Sequence, residues 1–141
     1  MCNGNKPVNT TVTLTVDTVN ITEATKNANV TFSDDQGDPA EIPGQPGQYE
    51  STVNRNAQII WTGRAANGTD TVCITDVSKK AVGGGSDILV APIGRPVSCQ
   101  VTGRVVNAQI AGDEFYTISF NVIRAGVTTG YSIDPKIRMN T

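Results

Sequence analysis

The sequence contains no histidine, and this absence removes more chemistry than any other feature of its composition. Without an imidazole there is no Ser-His-Asp or Cys-His arrangement, no histidine general base and no usual zinc or copper ligand set. A cupredoxin is excluded as well, because a blue-copper site needs two histidines and a cysteine. A carboxylate pair of the glycosidase kind remains, but surface solubility explains the acids near the strand ends equally well. We therefore predict a protein that is not an enzyme.

An excess of positive charge is also missing, since 11 Lys and Arg face 13 Asp and Glu for a net charge of -2. Such a chain has no basic field with which to bind nucleic acid or an anionic membrane surface. No apolar run approaches the roughly 20 residues that a membrane helix needs. The length of 141 residues fits one domain. We predict a flexible leader over residues 1–7 and a single β-sandwich domain over residues 8–141, with no nucleic acid partner and no membrane span.

Helical periodicity is absent, and strict alternation of apolar and polar residues takes its place. Val12, Leu14 and Val16 alternate with threonines within residues 8–19, and residues 114–124 alternate in the same way. About eight or nine short strands separated by turn signals are typical of an all-β protein. The predicted fold is an antiparallel β-sandwich, either Ig-like or jelly-roll.

The stretch QIIWTGRAANGTDTVCITDV, residues 58–77, holds the only Trp of the chain. Two alternating segments flank Asn67-Gly68, a pair suited to a type I′ turn because Asn and Gly adopt positive φ at low cost. This pattern predicts a β-hairpin around which the sandwich closes. Trp61 is in phase with Ile59, so we expect it in the core rather than at the surface.

Three cysteines allow at most one internal disulfide. Cys99 has the parity of Val101 and is expected to face the core, whereas Cys73 is out of phase with Ile74 and should face the opposite side. Opposed faces argue against a bond between them. Three free thiols are the prediction, with a Cys73–Cys99 bond as the alternative.

Residues 33–48, SDDQGDPAEIPGQPGQ, form a predicted surface loop rich in Pro and Gly. Its carboxylates could gather around Ca²⁺, which takes several oxygen ligands; the candidate ligands are Asp34, Asp35, Asp38 and Glu41. Their spacing does not match an EF-hand, and a solvated acidic turn is the preferred interpretation. No cofactor is predicted, with calcium as the alternative.

Sugar binding would need an exposed aromatic ring with polar neighbours. Tyr131 beside Gly130 at the start of a strand is the best-placed surface candidate, and Tyr49 and Asp134 complete the set of candidate ligand-binding residues. The simpler interpretation of Tyr131 is a residue that caps a sandwich edge with its hydroxyl in water. A small carbohydrate-binding module, assisted by calcium, is the second hypothesis for function.

The order of motifs over residues 57–141 resembles the PixA/AidA family of bacterial inclusion-body proteins. The residues that carry the resemblance are Ile59, Trp61, Tyr116, Phe120, Gly130, Tyr131, Asp134, Pro135 and Ile137. The resemblance implies an all-β fold and accumulation or self-assembly in bacteria, with no catalytic residues to transfer. The localisation stays open between a bacterial cytoplasmic inclusion and, if a signal peptide preceded Cys2, an extracellular or lipid-anchored protein.

The leading hypothesis is a non-enzymatic bacterial β-sandwich that acts through self-association or surface interaction, as a homo-oligomer or larger assembly. A related hypothesis places residues 8–19 in the sheet of a neighbouring molecule, since an exposed strand can complete a sheet edge.

Overall fold

A computed structural model of the protein describes residues 8–38, 44, 49–80 and 86–140. The strands of these residues are β1 (Thr10–Val16), β2 (Val30–Asp34), β3 (Glu50–Val53), β4 (Gln58–Ala65), β5 (Thr71–Lys79), β6 (Val101–Arg104), β7 (Asp113–Arg124), β8 (Val127–Ile133) and β9 (Lys136–Met139). A short 3₁₀ helix covers Lys26–Asn29. The all-β fold is confirmed with nine strands in this part of the chain. The predicted leader, residues 1–7, lies outside it, and none of the described helical structure is long and apolar enough to cross a membrane.

The strands form two sheets, one in the order β2-β1-β4-β6 and the other in the order β3-β9-β7-β5, with β8 also paired to β7. Both sheets are mixed rather than purely antiparallel. β1 runs parallel to β4, and β3 runs parallel to β9. β1 therefore lies inside its own sheet between β2 and β4, and the predicted donation of residues 8–19 to a neighbour is wrong.

The core lies between the two sheets and receives the inward residues that alternation predicts. β1 alternates strictly between buried and half-buried positions. Trp61 is fully buried, as predicted, and its indole Nε1 donates a hydrogen bond to the Tyr116 hydroxyl at 3.0 Å. The two rings lie 5.4 Å apart. Gly103 contributes by lacking a side chain, because a Cβ at this position would lie 2.9 Å from the Trp61 ring.

The predicted hairpin around Asn67-Gly68 is wrong, because β4 belongs to one sheet and β5 to the other. The connection is a corner that joins the sheets. The Asn67 Oδ1 accepts hydrogen bonds from the N–H groups of Thr69 and Asp70, and Asp70 in turn accepts the Thr18 hydroxyl at 2.6 Å. Only Gly68 of the expected turn pair has positive φ, whereas a type I′ turn needs it at both positions.

The prediction of three free thiols is also wrong, since Cys73 and Cys99 form a disulfide with their Cα atoms 4.4 Å apart. Cys73 does lie outside the core, as its parity indicated. The parity of Cys99 was misleading because the strand begins only at Val101. Ser98 and Cys99 have φ values of 52° and 66°, so the chain turns there and alternation does not extend through them.

Candidate functional site

The acidic residues of the predicted calcium loop are used as hydrogen-bond acceptors. The Tyr49 hydroxyl donates to the Asp34 Oδ2 at 2.8 Å. Both the N–H and the hydroxyl of Thr52 donate to the Asp38 carboxylate, at 2.7 and 2.8 Å. The N–H of Thr11 donates to Asp35 at 2.9 Å. These contacts fasten the end of β2 and the residues after it to β1 and β3.

The pKa values of the neighbouring carboxyls of Asp34 and Asp35 are shifted in opposite directions. Burial raises the pKa of Asp34, and the nearby Asp38 carboxylate raises it further against the hydrogen bonds from Tyr49 and Gln36. Partial burial also acts upward on Asp35, but hydrogen bonds from Gln36 and Thr11 outweigh it and lower the pKa of that carboxyl. Asp34 is thus the member of the pair that holds a proton more tightly in the fold.

A calcium site stays a prediction. Among the described residues no group of three or more Cys, Asp or Glu is arranged to hold a metal ion. Glu41 lies outside those residues, as do most of the other positions of the loop. Asp34, Asp35 and Asp38 each have separate protein partners.

The two candidate tyrosines lie in the interior rather than at the surface. Tyr49 is 2 % exposed and stacks on Phe32 with ring centroids 5.5 Å apart. Tyr131 is 9 % exposed, and its hydroxyl donates to the carbonyl of Ile21 at 3.4 Å. The expected exposure of Tyr131 is wrong, because its ring shares the inward parity of Ile133 and packs 5.7 Å from Phe120. Burial raises the pKa of Tyr49 far above its ordinary value.

Asp134 has two protein partners at the end of β8. Its Oδ2 accepts Lys80 Nζ at 2.8 Å, and its Oδ1 accepts the Thr117 hydroxyl at 2.7 Å. Partial burial acts to raise the pKa of this carboxyl, but the bonds from Lys80 and Thr117 together lower it. No hydrogen bond joins any two of Asp134, Tyr49 and Tyr131 within the part of the chain that the structure describes. Ligand binding by these three residues stays a prediction.

The edge strands of the sheets differ in whether other parts of the chain cover their backbone groups. A sheet edge presents unpaired N–H and C=O groups that can pair with another chain. The edge of β3 is capped by side chains at Thr52. Its N–H donates to Asp38, and its carbonyl accepts the Thr10 hydroxyl at 2.9 Å.

The edge of β6 is covered by the chain that precedes it. The N–H of Val90 donates to the carbonyl of Arg104 at 2.9 Å, and Leu89 bridges to Val105. Glu114, which is buried, holds this cover in place. Its Oε1 accepts the N–H groups of Ile88 and Leu89 at 2.7 and 2.8 Å.

The edge of β5 is covered at Ile74 by the turn that carries Cys99. The N–H of Ile74 donates to the carbonyl of Cys99 at 3.1 Å. The disulfide to Cys73 lies one residue away on β5. A foreign strand therefore cannot reach the middle of β5 while this turn is in place.

The edge of β8 has no backbone partner among the described residues, and Glu23 and Lys26 line a shallow cavity beside Gly130, Tyr131 and Ser132. Ala125 and Gly126 have φ values of 50° and 78° and form a two-residue turn, so Arg124 and Val127 are a hydrogen-bonded pair. Alternation along the antiparallel ladder then directs the N–H and C=O groups of Thr128, Gly130 and Ser132 away from β7. In the described part of the chain no hydrogen bond reaches these outward groups, and the first four residues of β8 are exposed.

The composition of β8 does nothing to protect this edge. VTTGYSI contains no charged residue and no proline, the residues with which native sheets usually discourage edge pairing. The sequence prediction missed the edge because it placed Tyr131 at the start of a strand, whereas β8 already begins at Val127. The useful signal was Ala125-Gly126, a two-residue turn between uncharged segments rich in β-branched residues.

No protein-family model matches the sequence, and no curated protein does at a significant level. Among solved structures, the chain aligns with the inclusion body protein PixA from Burkholderia cenocepacia J2315 over 99 % of this chain and 100 % of that one. The two chains are similar in fold. The TM-score is 0.58 at 11 % sequence identity, so the distant resemblance predicted from residues 57–141 is confirmed at the level of the fold.

Proposed function

We propose that this protein is a non-enzymatic structural protein that acts by self-association, and that copies of the chain meet at the edge of β8. The observation that carries the proposal concerns Thr128, Gly130 and Ser132. Their outward backbone groups have no hydrogen-bond partner among the described residues, and their strand has neither charge nor proline. The edges of β3, β5 and β6 are capped or covered, which favours β8 over these three edges as the place where a second chain pairs. The fold similarity to a protein named as an inclusion body protein supports the same function class.

A second copy of β8 is the occupant that fits this edge. In an antiparallel pair centred on Gly130, the outward groups of Gly130 meet those of the same residue in the other copy. Thr128 then lies opposite Ser132, and each of these residue pairs exchanges two hydrogen bonds. An uncharged strand meets its own copy without repulsion, and the two-fold arrangement closes as a dimer.

Size-exclusion chromatography with light scattering over a range of concentrations tests this interface. We expect the wild type to associate and Thr128→Pro to weaken association at least about tenfold, because proline removes an outward N–H that β7 does not use. Thr128→Ser is the matched control, since it keeps that N–H and should associate like the wild type. Circular dichroism and thermal unfolding establish that each variant is folded.

Two results would count against the interface. A wild type that remains monomeric at high concentration would refute self-association. A folded Thr128→Pro protein that associates as strongly as Thr128→Ser would place the contact elsewhere.

The carbohydrate-binding hypothesis has no comparable support. The rings of Tyr49 and Tyr131 are buried, and Trp61 is fully enclosed. A sugar needs an accessible aromatic face for stacking, and these rings do not offer one. We therefore advance self-association alone.

A further inference from the structure

The two sides of β7 lead to edges of different character. β8 pairs with one side of β7 over residues 118–124, and β5 pairs with the other side over residues 116–123. The open edge of β8 and the covered edge of β5 therefore lie at opposite ends of one sheet. A subunit with one open edge stops at a dimer, whereas a subunit with an open edge at each end can continue into a longer assembly.

The cover on β5 depends on few contacts besides the disulfide. Within the turn, Val97 and Gln100 exchange backbone hydrogen bonds of 2.8 and 3.1 Å. Outside the turn, the Cys99 carbonyl accepts Ile74 N–H, and the Gln100 amide donates to the Thr62 hydroxyl at 3.2 Å. Val97 is 72 % exposed, so apolar packing does little to fasten this turn.

The backbone of the turn also favours its release. Ser98 and Cys99 are consecutive non-glycine residues in the left-handed region, with φ values of 52° and 66°. L-residues adopt this conformation unfavourably and keep it only where the surroundings impose it. Once the bond to Cys73 is broken, we expect the turn to relax and the Cys99 carbonyl to leave Ile74.

We infer that the Cys73–Cys99 disulfide is a redox latch that closes the β5 edge and thereby limits self-association to β8. This inference rests on the proposed function. A dithiol opens the latch by giving two electrons and two protons to the bond, which yields two thiols while the dithiol becomes a disulfide. Both cysteines are half-buried at the surface rather than enclosed in the core, so a reductant can reach them.

An oxidising compartment keeps such a bond closed, whereas a reducing one opens it. The same chain would therefore form dimers in the first compartment and extended assemblies in the second.

The test uses the full chain with Cys2→Ser, which removes the third thiol and any bond between copies through it. Light scattering is measured with and without dithiothreitol, and again for Cys73→Ser/Cys99→Ser without reductant. Oxidised protein should stop at twice the chain mass of 14.8 kDa. Reduced protein and the double variant should both exceed that mass and grow with concentration.

Thr128→Pro distinguishes association through β8 from association through β5 in the same experiment. With β8 blocked, the oxidised variant should be monomeric, and the reduced variant should stop at a dimer through β5. Hydrogen exchange supplies a second readout, because the Ile74 amide should lose protection on reduction while the amides of the β7–β8 ladder retain theirs.

Each remaining outcome is decisive. An oxidised dimer whose mass does not change on reduction overturns the latch and leaves the proposed function intact. An oxidised monomer that associates only on reduction supports the latch and overturns the β8 interface. Unfolding of the whole protein on reduction overturns the latch, because the bond would then stabilise the fold rather than control one edge.

Discussion

The edges of β3 and β8 belong to the same sheet but are finished in opposite ways. At β3, both backbone groups of Thr52 are occupied by side chains, the carboxylate of Asp38 and the hydroxyl of Thr10. At β8, the outward backbone groups of Thr128 and its alternate neighbours have no such partner in the described residues. Within one sheet, therefore, side chains cap the edge of β3 and do not cap the edge of β8 in the described residues.

The largest expected effect comes from breaking the cap on β3 with Asp38→Ala. This change removes two charge-assisted hydrogen bonds to Thr52, and the Asp38 side chain is only 9 % exposed. We expect the free energy of unfolding to fall by about 2 kcal/mol in urea denaturation. Asp35→Ala is the control, since the described hydrogen bonds of Asp35 go to Thr11 and Gln36 rather than to β3, and it should cost less than about 1 kcal/mol.

Asp38→Ala also tests whether uncapping the edge of β3 is enough for copies of the chain to associate. In a Thr128→Pro background, Asp38→Ala should restore association by opening β3. A folded double variant that stays monomeric in light scattering would show that an uncapped edge is not sufficient.

A smaller effect is expected from Thr10→Val, which removes the other half of the cap. Valine has nearly the same shape, so the main loss is the hydrogen bond from the buried hydroxyl to the Thr52 carbonyl. We expect a loss of about 1 kcal/mol in urea denaturation. Thr13→Val on the same strand removes a hydroxyl that has no hydrogen-bond partner among the described residues, and it should be close to neutral. Equal losses in the two variants would mean that the cap contributes no stability.

The smallest expected effect is on the pH dependence of stability, through Asp34 at the end of β2. Burial and the neighbouring Asp38 raise the pKa of Asp34 in the folded protein above its ordinary value of 3.8. The folded state therefore binds this proton more tightly, so its contribution to stability is complete below pH 3.8 and is lost as pH rises through the native pKa. Asp34→Asn should remove that loss when unfolding is compared between about pH 4 and about pH 7.

Asp35→Asn is the counterpart with the opposite sign. Hydrogen bonds lower the pKa of Asp35, so its contribution is present above pH 3.8 and lost as pH falls through the native pKa. An Asp34→Asn profile that matches the wild type would refute the assignment of the titration to Asp34.

Alternation within a strand was sufficient to predict much of the fold. The burial of Trp61 and the regular inward faces of β1 and β7 follow from the two-residue period alone. These predictions concern single strands, for which parity is a local property. They did not require knowledge of which strands pair.

The errors arose where pairing or chain direction mattered. A turn signal at Asn67-Gly68 cannot indicate whether its two strands enter one sheet or two. The parity of Cys99 was carried through a turn in which left-handed residues interrupt alternation. The state of an edge was beyond local patterns as well, because the Thr10 hydroxyl that caps Thr52 is 42 residues away in sequence.

The parallel pairing of β3 with β9 has a consequence for how the protein is made. β3 begins at Glu50, and its partner Lys136 is synthesised much later. Contacts between such distant segments form slowly, because a long loop must be closed before they contribute. During synthesis β3 therefore stays unpaired until β9 has been made, whereas β7 and β8 can pair as soon as the Ala125-Gly126 turn has formed. The hairpin that presents the β8 edge can thus form before the sheet behind it is complete. Under the proposed function, nascent chains would meet at β8 before they have finished folding.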